Sequence, residues 1–154
     1  MLVMLIRAAV SADLDAITHL RTERHELLRQ SDARFAPLTD NPSTWLTDSA
    51  ARVWVVEVSE RIVAYALLYG GRCPLGDLPP QSAALIEMAL DAHRYYGGTG
   101  SALAKYVREA APTLWVAVPR FHAVEQAFWR AFGAKRCHAD NLPLNAAFEW
   151  MCVQ

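Results

Sequence analysis

Cysteine, glycine and long apolar runs are scarce in this 154-residue chain, and an excess of charge of either sign is almost absent. The three cysteines, Cys73, Cys137 and Cys152, are few, odd in number and widely spaced. They give no metal-site spacing, so no metal is expected, and they predict free thiols in a reducing cytoplasm. No apolar run approaches the roughly 20 residues that span a bilayer, which excludes a helical membrane segment. The opening Met1-Leu2-Val3-Met4-Leu5-Ile6 lacks a basic leader and a small-residue cleavage site, and reads as a first strand. A net charge of −1 leaves no nucleic-acid footprint. Internal repeats, low-complexity tracts and long linkers are absent too. What is present is a chain 53% hydrophobic and 20% charged, which predicts one globular domain over residues 1–154. A chain of that size buries roughly two-thirds of its unfolded surface.

Charge is unevenly spread. Residues 91–136 hold seven bases and three acids, an excess of four positive charges, so the remainder carries −5. A polyanionic ligand at the basic segment and a cationic one elsewhere would suit that split, though a chance fluctuation of surface charge explains it equally well.

Hydrophobic periodicity predicts the elements. Ser11 is positioned to cap a helix over 12–29, with Leu14, Ile17, Leu20, Leu27 and Leu28 as its apolar stripe. A loop over 30–42 and a short helix over 43–48, capped by Ser43, follow. Residues 53–58 and 62–69 form an antiparallel hairpin around Ser59-Glu60. Residues 70–82, with three prolines and three glycines, read as a loop. A strand over 85–90, a helix to Ala111 stopped by Pro112, and a strand over 114–118 come next. A helix lined by Val124, Ala127, Phe128 and Ala131 ends at Gly133, and strands over 134–139 and 146–153 close the chain. The sum is a mixed α/β fold. Its sheet has six or seven mostly antiparallel strands, helices on both faces, and one parallel pair where a helix forces a crossover.

Within this pattern Gly97-Gly98-Thr99-Gly100-Ser101 sits between an apolar strand and the start of a helix. Glycines allow positive φ and close approach of the backbone to a ligand. The unpaired N–H groups and partial positive charge of a helix N-terminus suit a phosphate or pyrophosphate. A strand-to-helix turn that merely needs positive φ is the plainer reading of a bare glycine pair. The β-turn-α-β context narrows it to a phosphate-bearing ligand at 95–101.

Tyr95-Tyr96-Gly97-Gly98-Thr99-Gly100 resembles the (Arg/Gln)-x-x-Gly-x-(Gly/Ala) signature of the GNAT superfamily of acyl-CoA-dependent N-acyltransferases. Both glycines match, while Tyr95 stands at the Arg/Gln position. The resemblance runs through the chain in order. Ile6-Arg7-Ala8-Ala9 with Asp13 and Asp15 is similar to the family's opening strand and helix, and 53–69 to its central hairpin. Phe128-Trp129-Arg130-Ala131-Phe132-Gly133-Ala134 is similar to its late helix. The resemblance implies acetyl-CoA as co-substrate, a primary amine of a small molecule or peptide as acceptor, and direct transfer without an acyl-enzyme. It implies that the parallel strands splay at a bulge and that the pantetheine arm lies in the gap. Met88, Ala89 and Leu90 would supply a backbone oxyanion donor, and Tyr95, Tyr96, Gly97, Gly98, Thr99, Gly100 and Ser101 the pyrophosphate contacts.

Direct transfer needs a neutral amine, a donor to the carbonyl oxygen, and a proton or other stabilisation for the thiolate. Glu87 is the only acid inside the apolar strand and the candidate base, against the alternatives of a solvated carboxylate or an ion pair. Trp129 stands where the family often has a tyrosine acid, and indole cannot give up a proton at working pH. His122 is a candidate contact to the pantetheine arm, a proton source, or a structural residue at a helix start. Phe35, Trp45, Trp54 and Tyr65 are candidate acceptor walls, each also readable as core. A non-catalytic acyl-CoA-binding module of the same fold, and an unrelated nucleotide-phosphate binder, stand beside the enzyme reading. Five tryptophans and the C-terminal strands suggest a homodimer surface.

Overall fold

Near-continuous apolar runs in the central strands bury both of their faces, and the strands line up into one sheet. The computed structural model describes residues 3–93, 97–139 and 141–154. Its strands are β1 (Met4–Ala8), β2 (Ala51–Val58), β3 (Arg61–Gly70), β4 (Arg72–Cys73), β5 (Gly76–Asp77), β6 (Ser82–Leu90), β7 (Thr113–Pro119), β8 (Lys135–Arg136) and β9 (Phe148–Val153). The helices are α1 (Leu14–Ser31), α2 (Thr99–Arg108) and α3 (Ala123–Ala131). Seven strands form a sheet in the order β1-β2-β3-β6-β7-β9-β8, and β4 and β5 form a separate hairpin. Every pairing in the large sheet is antiparallel except β6 with β7. The mixed α/β sheet with one parallel pair is therefore present as expected.

Period-2 alternation divides the core between the faces. Val53, Val55, Tyr65 and Leu67 pack with Ile17, Leu20 and Leu28 of α1 on one side. Val56, Ala64, Ala66 and Leu68 pack with Leu103, Ala104 and Val107 of α2 and Trp129 of α3 on the other.

Local differences have local causes. α1 begins at Leu14, after a 3₁₀ turn at Ser11–Asp13, and Ser11 caps nothing. The buried Asp13 carboxylate turns back instead, accepting from the Val10 N–H at 2.8 Å and from both terminal nitrogens of Arg7 at 2.8 and 2.9 Å. The short helix expected over 43–48 is a 3₁₀ turn at Pro42–Thr44, capped by the Asn41 side chain accepting from Ser43 N–H at 3.0 Å. The loop over 70–82 contains the β4–β5 hairpin, turned by left-handed Gly71 and by Gly76 at φ 146°. α2 ends at Arg108, before Ala111, and the first closing strand shrinks to Lys135–Arg136. Cys137 and Cys152 are joined as a disulfide, so the expectation of three free thiols fails for two of them; Cys73 is free and buried. The tryptophans are mostly core, with Trp45, Trp129 and Trp150 each under 5% exposed. Among the described residues no helix is long and apolar enough to cross a membrane.

Candidate active site

Two irregularities open the sheet at the same place. In the β3–β6 pairing Leu67 faces Glu87 and Leu68 faces Leu85, which leaves Ile86 as the extra residue of a bulge. The β6–β7 pairing stops at Leu85 and Val116, although β6 runs on to Leu90 and β7 to Pro119. β7 stays bonded to β9 as far as Pro119 opposite Phe148, so its end follows β9 and leaves β6. The splay at a bulge is thus where the resemblance placed it.

A cavity of about 540 Å³ fills this gap. Pockets for small ligands run from about 300 to 1,000 Å³. Its wall on β6 is Met88, Ala89 and Leu90, continuing into Asp91 and Ala92. Gly98, Thr99, Gly100 and Ser101, the first turn of α2, line one end. The N–H groups of a first turn have no partner inside the helix. Gly98 takes a left-handed φ of 83°, which turns the chain into α2 with open space above it. Gly100 serves packing as well, since a Cβ there would meet Leu90 Cδ2 at 3.3 Å and Phe128 Cε2 at 3.7 Å.

α3 forms the opposite wall through His122, Val124, Glu125, Phe128 and Trp129. Its start is fixed twice. His122 Nδ1 accepts from the Glu125 N–H at 3.3 Å, and the buried Gln126 side chain donates to the carbonyls of Pro119 and Arg120 at 3.3 and 2.6 Å. His122 is therefore a helix cap that also faces the cavity. Trp129 is 2% exposed and meets Phe128 and Phe132 edge-on.

α1 completes the enclosure with Glu23, Arg24, Leu27 and Leu28, none of which sequence reasoning assigned to the site. Arg24 falls between Leu20 and Leu28 at helical spacing, so a charge inside an apolar stripe was its signal. Its guanidinium is buried, with Nη2 3.4 Å from Glu125 Oε1 and no hydrogen-bond partner for Nε. Next to it His25 packs on Phe35, and burial pushes the imidazole down to about 4, so it is neutral at pH 7.

Glu87, the candidate base, is ion-paired, which is one of the alternatives its place in the strand left open. The bulge turns it to the α1 side, where it is 3% exposed. It accepts from Arg21 Nε at 3.0 and 3.2 Å, from Arg21 Nη2 at 3.0 Å, and from the Tyr65 hydroxyl at 2.8 Å. Arg21 also lies over the Trp45 ring and donates to the Thr39 carbonyl at 2.8 Å. Burial and the Glu87 charge raise Tyr65 well above its ordinary range, so it is a hydrogen-bond donor and not a titrating acid.

The structure thus brings Met88, Ala89, Leu90, Gly98, Thr99, Gly100, Ser101, His122 and Trp129 around one cavity. Glu87 stands behind its wall, and Gly97 is exposed beside it. Tyr95 and Tyr96 lie outside the described residues. The expected acceptor walls are corrected. Phe35, Trp45 and Tyr65 belong to the α1-side core, and Trp54 packs against Tyr106 of α2 on the opposite face. Aromatic size drove all four into packing, which is the commoner fate of such residues.

No family model matches the sequence, and no curated protein does. Solved structures do match in fold. A ribosomal-protein-alanine N-acetyltransferase from Brucella melitensis superposes with a TM-score of 0.66 at 22% identity, covering 96% of each chain. YncA from Salmonella typhimurium, solved with acetyl-CoA, gives 0.67 at 15% identity over 98% of this chain and 93% of that one. The PaiA N-acetyltransferase from Thermoplasma acidophilum, in complex with coenzyme A, gives 0.65 at 13% identity over 97% and 98%. These superpositions cover nearly the whole of each chain, so this chain has the fold of the GNAT-type acetyltransferases.

Proposed function

We propose that this protein is an N-acetyltransferase that moves an acetyl group from acetyl-CoA directly to a primary amine of a small molecule or peptide. The observation that carries this is the cavity in the β6–β7 splay, with the first turn of α2 at one end and an apolar floor at Met88 to Leu90. The helix N-terminus suits the pyrophosphate. The free edge of β6 beyond Leu85 has N–H groups that suit the pantetheine amides and the thioester carbonyl. A second, polar depression of about 610 Å³ shares Glu23 and Asp91 with the cavity and adds Asp13, Glu57 and Glu60. Its acidic lining suits a cationic amine arriving from the α1 side.

Calorimetric titration with acetyl-CoA beside ATP tests the ligand class. Saturable binding of acetyl-CoA alone is expected, and its absence overturns the reading. Thiol release with a panel of amines then tests turnover. Trp129 at the cavity wall and the ion-paired Glu87 favour a second reading, a non-catalytic acyl-CoA-binding module. Binding without thiol release from any amine would establish it.

A further inference from the structure

We propose that Arg24 holds the coenzyme A thiolate as it leaves, taking the place of a general acid. This rests on the acetyl-transfer reading above.

Cleavage of the thioester leaves an electron pair on sulfur, and a buried sulfur needs a proton or a cation beside it. Cavity-lining side chains from the described residues include no tyrosine and no cysteine. Trp129 donates a hydrogen bond at most. His122 already spends Nδ1 on capping α3. Arg24 is the one lysine or arginine among the cavity-lining residues described. It is buried, permanently charged, and its Nε–H has no hydrogen-bond partner.

Its place fits the sulfur better than the phosphates. The guanidinium reaches α3 at Glu125, one turn before Trp129, the residue standing where the family's acid often does. The charged and titratable groups around it are Arg21, Glu23 and His25 on α1, Glu87 and Tyr65 on the sheet, and His122 and Glu125 on α3. Glu87 is already matched by Arg21, and Glu125 contacts Arg24 at only 3.4 Å and is part-exposed, so the cation can exchange that partner for a better-placed anion.

The step balances without a proton from arginine. The neutral amine nitrogen attacks the thioester carbon, the C–N bond forms, and the C–S bond breaks with its electron pair going to sulfur. The proton of the new amide nitrogen passes to water. The thiolate pairs with the guanidinium and is protonated by solvent after release.

The test is the titration of the CoA thiol bound to the purified protein, followed by thiolate ultraviolet absorbance, with desulfo-CoA as the ligand lacking sulfur. The bound thiol of the native protein should ionise about tenfold more readily than a free thiol. Arg24→Gln should erase that shift and lower kcat on the order of 10²-fold, with the KM for acetyl-CoA and the Kd for desulfo-CoA nearly unchanged. Arg24→Lys should keep part of the shift, and serves if the glutamine variant does not fold. An unshifted thiol in the native protein overturns the proposal. So does equal loss of CoA and desulfo-CoA affinity in Arg24→Gln, which would mean a phosphate or pantetheine contact. A rise in acceptor KM alone overturns it too, since Arg24 would then read the acceptor. Failure of CoA itself to bind removes the acetyl-transfer reading first, which separates the two.

Discussion

Single residues at this site carry backbone and packing duties that can be separated by substitution. Gly98 has a left-handed φ and open space around it, whereas Gly100 has ordinary φ and two side chains at contact distance. Gly98→Ala should therefore cost about 1–2 kcal/mol of stability through backbone strain alone, read by urea unfolding. Gly100→Asp should cost less strain but abolish acetyl-CoA binding by calorimetry, because its side chain must displace Leu90 or Phe128 or enter the cavity. Glu87 has two roles open to it, base or anchor of Arg21 and Tyr65. Glu87→Gln distinguishes them: loss of the acidic limb of the rate profile at unchanged stability would make it the base. The expected outcome is the reverse, a loss of about 3 kcal/mol with the limb retained, because one partner of a buried pair would be left uncompensated. The carboxylate was legible in the sequence as the only acid in its strand. Its partners were not, since Arg21 lies 66 residues earlier and meets it only through the packing of α1.

Elements set the shape of the cavity, and α3 is the wall opposite β6. It is short, and its first turn hangs on the Gln126 contacts to the end of β7 and on the His122 cap. Gln126→Ala should cost about 1–3 kcal/mol, since the Arg120 carbonyl loses its side-chain donor and the Pro119 carbonyl keeps only the His122 N–H. It should also weaken acetyl-CoA binding several-fold as Phe128 and Trp129 lose their fixed position. Thermal unfolding and calorimetry read the two effects. A loss of stability with unchanged affinity would show that α3 is held by Trp129 packing instead. The hairpin β2–β3 and the helix–strand order were legible from periodicity. The bulge at Ile86 was not legible from these residues, because an apolar run reads the same with or without an extra residue in the ladder.

At the scale of the whole molecule, pH acts through groups that folding buries. His25 is held to about 4 in the fold against 6.5 when unfolded. Between those values the unfolded chain binds more protons, so stability should be full above about pH 6.5 and fall as pH drops towards 4. The loss is on the order of 2 kcal/mol. Asp13, held below its ordinary range by Arg7, acts in the same direction at lower pH still. His25→Gln should flatten the upper part of that slope in urea titrations between pH 7 and 4. An unchanged slope would place the imidazole in contact with water.

The sequence by itself determined the order of elements, the glycine turn at the helix start and the apolar β6 wall, because these are local: periodicity, positive φ and helix ends are written within a few residues. Tertiary structure alone decided that Glu87 is ion-paired, that Phe35, Trp45 and Tyr65 are core, and that Arg24 faces the cavity. Those outcomes depend on which helix covers which face of the sheet and on a one-residue bulge that reverses where a side chain points. Such long-range choices follow from the packing of the whole chain, and no short window of residues contains them.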